Sequence, residues 1–273
     1  MILRAENLEV SFRKERQTRL FGRERQPVVR NVSLEIARGE SLALVGESGS
    51  GKSTLGRVLC GLQKPERGRV LIDGLDLYRR QTAAGRWRLR HKISIVFQDY
   101  TTSVNPRFRV REIVGESLRA LALTGRPVDA ERRTEELLEM VGLSRAYMDR
   151  YPHELSGGQL QRVCIARAVA VEPELIVLDE AISSLDASTQ VQVMDLLIDL
   201  RDAQRFSYFF ITHDLTAVTY MCDRVAFFEN GEIVETVEDM SRLPWVENEY
   251  ARRLLGSVIG IEGMEGEPNE KAS

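Results

Sequence analysis

Residues Gly46-Glu47-Ser48-Gly49-Ser50-Gly51-Lys52-Ser53 constrain this chain more tightly than any other stretch. An apolar run, Ser41–Val45, precedes them, and apolar residues at helical spacing follow from Lys52 to Leu62. A glycine-rich turn between a buried strand and a helix lets backbone N–H groups curl inward, because glycine enters positive φ without steric cost. The helix N-terminus adds the positive end of its dipole. The stretch fits GxxxxGK[ST] at every fixed position, an arrangement that cradles phosphate. Lys52 is placed to reach the β- and γ-phosphates of a nucleotide, and the Ser53 hydroxyl to ligate Mg²⁺. Thr54 follows in the first helical turn. A merely connecting Gly/Ser loop would not require the Lys-Ser pair or the helix that follows.

Around this loop, strand-like and helix-like runs alternate as in an α/β domain with a largely parallel sheet. Leu3–Phe12 and Val28–Ile36 read as strands, joined by a basic loop. Gly68–Ile72, Ile93–Phe97, Leu175–Leu178, Tyr208–Ile211 and Val225–Glu229 read as further strands. Gln159–Ala170, Thr189–Arg201 and Leu215–Met221 read as helices. Residues 105–150 change character: Val110–Leu123 and Ala130–Val141 are helical by spacing, with Pro127 between them and Gly142 as a stop, so this block reads as a helical insertion.

Leu175-Ile176-Val177-Leu178-Asp179-Glu180 is an apolar strand ending in two acids. A buried parallel strand delivers its last residues to the carboxyl edge of the sheet, where ligands bind. Asp179 is therefore placed to hold Mg²⁺, and Glu180 to polarise the water that attacks a γ-phosphate. Alone, such a pair would more often be a solvated turn; beside a phosphate loop it is not.

Leu155-Ser156-Gly157-Gly158-Gln159 follows the helical block. With the phosphate loop and LIVLDE in this order, the chain resembles the nucleotide-binding subunit of an ATP-binding cassette (ABC) transporter over residues 3–235. The resemblance implies an ABC-type P-loop NTPase of α/β class. Its RecA-like parallel-sheet core (about 1–98 and 159–235) would carry an antiparallel β subdomain and an inserted helical subdomain (about 99–158). A C-terminal helical extension (236–259) would follow, then an acidic tail (260–273) without stable structure. The activity implied is ATP hydrolysis coupled to transport, with ATP and Mg²⁺ as ligands.

The remaining positions follow from the same resemblance. Gln98 matches the Q-loop glutamine, which contacts Mg²⁺ or the attacking water. Ser183-Ser184-Leu185-Asp186 matches the D-loop, with Ser184 departing from the usual alanine and Asp186 at the key acid. His213 matches the switch histidine on the γ-phosphate, whereas His91 and His153 read as surface residues. Phe12 occupies the place of the aromatic that stacks on adenine, with Phe21 as rival and a purely core Phe12 still open. Ser156, Gly157, Gly158 and Gln159 would close on ATP held by the opposite subunit, so the working unit is a dimer around two nucleotides. Backbone amides and a hydroxyl where a helix begins, read here at Gln159, suit an anion.

Finer resemblance is to the second ATPase of the oligopeptide, dipeptide and nickel importers. It rests on Phe97-Gln98-Asp99, Ser103–Arg107, Val110–Ile113, Tyr151–Glu154 and Gln161–Ala168. Ala170–Pro173 and Asp179–Ser183 lean toward nickel and metal-chelate members over peptide members. Expected partners are a second, different ATPase subunit, two transmembrane permeases meeting the chain near Gln98–Arg107, and indirectly an extracytoplasmic substrate-binding protein. The chain would work at the cytoplasmic face of the inner membrane as a peripheral protein.

Composition enters where it excludes. No apolar run approaches the roughly 20 residues of a helical membrane span, and the N-terminus shows no secretory signal. Cys60, Cys164 and Cys222 lack metal or disulfide spacing, and Cys60 and Cys164 read as buried thiols. The net charge of −3 hides a basic run over residues 13–30 and an acidic tail. The basic run is the one feature that favours nucleic acid. The chain has a single cassette and no room between Lys52 and Ser156 for a long coiled coil, so no nucleic-acid partner is expected. A generic P-loop switch or kinase leaves LSGGQ and His213 unexplained.

Overall fold

The computed structural model describes residues 1–13, 25–79, 82, 85, 89–122 and 128–259. From the N-terminus run β1 (Leu3–Arg13), β2 (Arg25–Ile36), β3 (Ser41–Val45), α1 (Lys52–Leu59), β4 (Arg67–Ile72), β5 (Leu75–Asp76) and β6 (Ile93–Val96). Then come α2 (Val110–Ala122), α3 (Ala130–Met140), α4 (Gly157–Val169), β7 (Leu175–Asp179), α5 (Ala187–Gln204), β8 (Ser207–Thr212) and α6 (Leu215–Met221). The described chain closes with β9 (Arg224–Glu229), β10 (Glu232–Val237), a 3-10 turn (Met240–Trp245) and α7 (Glu249–Ile259).

A six-stranded sheet in the order β10-β9-β3-β8-β7-β6 carries the site. Its neighbours pair in parallel except β10, which returns antiparallel to β9. Every residue of β3, β7 and β8 is buried, as expected for parallel strands covered on both faces. Alternate side chains feed two separate cores. Leu42, Leu44, Val177, Phe209 and Ile211 pack with α1 and the antiparallel sheet. Ala43, Val45, Leu178, Tyr208 and Phe210 pack with α2–α6 on the other face. The antiparallel sheet has the order β2-β1-β4-β5, with Leu3 opposite Ile36 on one side and Ile72 on the other. The α/β class, the parallel core and the antiparallel subdomain agree with the expectation from sequence.

Several boundaries differ from that expectation. The helix after the phosphate loop stops at Leu59 rather than Leu62, because Gly61 turns to φ +73° and Leu62 N–H bonds back to the Arg57 carbonyl. α4 starts at Gly157 rather than Gln159, since Ser156 caps it. α5 extends over Ala187–Gln204. Strand β10 was not anticipated; its signal was Asn230-Gly231, both at positive φ (51° and 88°), the dipeptide of a tight hairpin. His91 is half-buried rather than at the surface, and Cys60 is likewise half-buried, whereas Cys164 and Cys222 are buried. Phe21, Pro127, most of the basic run (14–24) and the acidic tail lie outside the described residues. No helix among the described residues is long and apolar enough to cross a membrane.

Candidate functional site

The loop Gly46–Gly51 joins β3 to α1 at the carboxyl edge of the parallel sheet. Glycine is required at two of its positions for steric reasons. A Cβ on Gly46 would run into the Phe228 carbonyl oxygen of β9, and one on Gly51 (φ +109°) into the Val28 carbonyl. Lys52 is buried, and its Nζ donates to the carbonyls of Gly46 and Glu47 at 2.7 Å each. Burial pulls the ammonium below its ordinary range, against the opposing pull of Glu180 and Asp179. Among the described residues no carboxylate is in ion-pair contact with it. The Ser50 hydroxyl is buried without a hydrogen-bond partner. A cation seated in carbonyls and an orphaned hydroxyl, on a glycine-rich turn that opens a helix, form a cradle complementary to phosphate oxygens.

The partner strand is β7. Asp179 is its last residue, and its Oδ1 accepts from the Ser53 hydroxyl at 2.8 Å. These two residues lie 126 positions apart and meet because parallel strands end at one edge. Burial raises the Asp179 carboxyl above the usual carboxylate range, with the neighbouring Glu180 adding to the rise. A buried carboxylate beside a hydroxyl is a hard-oxygen set that fits Mg²⁺, a cation that takes few protein ligands and shares phosphate oxygens. Among the described residues no group of three or more His, Cys, Asp or Glu could hold a metal.

Glu180 follows at φ +48°, a left-handed conformation uncommon for a side-chain-bearing residue. Its Oε2 accepts from Gln98 Nε2 at 2.9 Å and lies 3.7 Å from His213 Nδ1. Three strand ends thus converge: Gln98 just after β6, Glu180 after β7 and His213 after β8. The carboxylate side chain is 13% exposed, enough to meet a water, and the histidine is 58% exposed.

The signature sits elsewhere. Ser156 caps α4, its hydroxyl accepting from Gln159 N–H at 3.3 Å, while Gln159 Oε1 accepts from Ser156 N–H at 3.0 Å. Gln159 Nε2 donates to the Tyr147 hydroxyl at 3.0 Å. Gly158 has no room for a Cβ because Thr189 of α5 stands against it. Among the described residues, the hydrogen bonds of Ser156 and Gln159 reach the helical block and not the phosphate loop. Asp186 caps α5, accepting from Ser188 and Thr189 hydroxyls at 2.6 and 2.7 Å and from Thr189 N–H at 3.0 Å. These bonds, Ser188's first, hold its carboxyl down at about 2. Phe12, near the end of β1, is 44% exposed, which removes the reading of a core residue. Its rival Phe21 lies outside the described residues.

One contact was not foreseen from sequence. The Glu47 N–H donates to the hydroxyl of Tyr250 on α7 at 2.8 Å. No local pattern signals it, because Tyr250 lies 203 residues from Glu47.

Comparison with known proteins agrees with this geometry. Residues 29–183 match the family model described as ABC transporter. The chain is 46% identical over 243 residues to the metal-staphylopine import system ATP-binding protein CntF of Staphylococcus aureus, covering 89% of this chain and 94% of that one. It is 44% identical over 232 residues to the oligopeptide transport ATP-binding protein OppF of Bacillus subtilis, covering 84% and 75% respectively. Among solved structures, the dimeric post-hydrolysis state of the ATP-binding cassette MJ0796 bound to ADP and Pi superposes with a TM-score of 0.73. Identity to it is 29%, over 86% of this chain and 98% of that one. With its phosphate cradle, its strand-end acids and these relatives, the chain belongs to the ABC transporter family, as an ATP-binding, ATP-hydrolysing cassette subunit.

Proposed function

We propose that this subunit powers an importer of metal chelates, nickel chelates included, by ATP-driven closure and reopening of a dimer of cassettes. The observation that carries the reading is the meeting of Gln98, Glu180 and His213 beside the Ser53–Asp179 hydrogen bond. The adenine stacks on Phe12. The loop Gly46, Glu47, Ser48, Gly49, Ser50 and Gly51 wraps the phosphates, with Lys52 on the β- and γ-phosphates and Thr54 closing the first helical turn. Ser53, Asp179 and Gln98 would hold Mg²⁺, which supplies charge neutralisation at the phosphates when bound. Water adds to the γ-phosphorus as the bond to the bridging oxygen breaks. Its proton passes to Glu180, and ADP and phosphate leave. His213 steadies the γ-phosphate oxygens. Ser156, Gly157, Gly158, Gln159 and Asp186 complete the site of the other subunit, which fits a signature whose own hydrogen bonds face away from its own loop.

Residues 1–235 form the cassette under this reading, with the core over about 1–98 and 159–235 and the helical subdomain over about 99–158. Residues 236–259 are a C-terminal extension and 260–273 a tail. The partners are a second, different ATPase subunit, two permeases and, through them, an extracytoplasmic binding protein, without nucleic acid. The chain would sit peripherally at the cytoplasmic face of the inner membrane. A groove of about 690 Å³ lies between core and helical block, lined in part by Leu62, His91, Phe97, Ser103 and Arg167. We assign it to a short cytoplasmic helix of a permease, because Gln98 follows Phe97 directly and links that surface to Glu180.

The metal-chelate reading leans on the similarity to CntF, and the peptide reading on OppF. Vesicles holding this chain, its partner ATPase and the permeases decide between them. ATP turnover should rise when the binding protein is loaded with a metal chelate. A rise with peptide-loaded protein instead selects the second reading, and no rise with either refutes both.

A further inference from the structure

α7 is docked firmly, and it reaches the phosphate loop. The Glu235 carboxylate of β10 accepts from the N–H groups of Glu247 and Asn248 at 2.9 and 2.8 Å. Asn248 Oδ1 accepts from the N–H groups of Tyr250 and Ala251 at 2.9 and 3.3 Å, and Ala251 and Leu255 are buried. Arg253 pairs with Glu229 of β9 at 3.8 Å.

From this anchored first turn the Tyr250 ring inserts, 4% exposed, between β9 and the loop. Its hydroxyl accepts from Glu47 N–H at 2.8 Å and donates to the Phe228 carbonyl at 3.4 Å. The same Phe228 carbonyl is the group that leaves Gly46 no room for a side chain. On the inner side, the carbonyls of Gly46 and Glu47 hold Lys52 Nζ at 2.7 Å. Glu47 is thereby gripped from both directions: its carbonyl by the phosphate-binding lysine, its N–H by a tyrosine from the far end of the chain. Burial lifts the Tyr250 phenol above its ordinary range, so the hydroxyl keeps the proton it needs to bridge both partners. Glu47 itself is exposed.

We infer that Tyr250 is a positioning residue for ATP: through the Glu47 amide, its hydroxyl sets the first turn of the phosphate loop and hence the direction of Lys52. The inference rests on reading Gly46–Ser53 as the ATP phosphate site. The plain alternative is a hydroxyl that only helps glue α7 to the sheet, and the two differ in what they move.

Tyr250→Phe in the full chain keeps the ring and removes the bridge. ATP affinity by calorimetry should weaken about three- to tenfold, the range of one hydrogen bond. KM should rise by the same factor while kcat stays within about twofold of native, as for an interaction made equally before and in the transition state. Leu255→Ala, which opens a cavity under the same helix, should lower the melting temperature and leave ATP affinity unchanged. In the unaltered protein the Glu47 amide should exchange slowly with solvent, a readout that holds even if a variant fails to fold. An ATP affinity within twofold of native for Tyr250→Phe, an equal affinity loss in Leu255→Ala, or fast exchange at Glu47 would each overturn the inference. Lys52→Ala separates this from the broader reading: if that variant binds ATP normally, the phosphate-site assignment itself is wrong.

Discussion

Glu180→Gln exchanges a carboxylate oxygen for an amide nitrogen at nearly constant volume, so it removes charge and basicity and little else. Two buried neighbours feel the loss in opposite senses. Lys52, pulled below its ordinary range by burial, loses a carboxylate that opposes that pull. Asp179, raised by burial and further by Glu180, loses a like charge. These contributions offset, and the change in folding stability should stay within about 1 kcal/mol. The kinetic effect has no such compensation. A positioned general base contributes about 10²–10⁴ in rate, or about 2.7–5.5 kcal/mol of barrier. The upper half of that range is expected, because the nearest other carboxylate, Asp179, already accepts from Ser53 at 2.8 Å. Phosphate release should therefore fall at least about a thousandfold while ATP affinity stays within about threefold and the melting temperature is unchanged. The variant should also accumulate as an ATP-bound dimer by size exclusion, since hydrolysis normally dissolves the nucleotide bridge. Turnover above a tenth of native, or an activity loss matched by a loss of stability, would refute the base assignment.

Ser156→Arg places a charged, bulky side chain at the cap of α4, and in a mixed dimer it should silence hydrolysis at the opposite subunit's phosphate loop while its own remains active. Loss confined to its own site, traced with Lys52→Ala on one subunit at a time, would contradict the shared-site arrangement. Asp186 offers a pH test. Its carboxyl is held at about 2 by the hydroxyls and amide that cap α5, below the unfolded value of about 3.9. A depressed carboxyl contributes stability that is full above the unfolded value and is lost as pH falls through about 2. Asp186→Ala should melt below the native chain at pH 7, with the gap closing below about pH 4; a gap independent of pH would refute the cap.

Much of the site was legible because its chemistry is carried by short contiguous stretches. Ser41–Ser53 and Leu175–Glu180 each combine an apolar strand with the polar residues it delivers, and the strand's burial dictates where those residues emerge. Boundaries are less legible. Gly61 ends α1 early, and the strand after the Asn230-Gly231 hairpin carries little signal, because Glu232-Ile233-Val234-Glu235 does not alternate and is only partly buried in the fold. The C-terminal segment read as generic helix, yet it supplies a hydrogen bond to the phosphate loop.

By itself, the sequence determined the class of the fold, the phosphate loop and the acids meant to accompany it, since these depend on local periodicity and on glycine's freedom at a turn. Only the tertiary structure decided which residues share a site. Gln98 and Glu180 lie 82 positions apart, Ser53 and Asp179 126, and Glu47 and Tyr250 203. The first two pairs meet because parallel strands end together at one edge of the sheet, as the motifs had implied. The third meets because β10 turns back on β9 and carries α7 to the loop, a path set by long-range packing and not by any local run of residues.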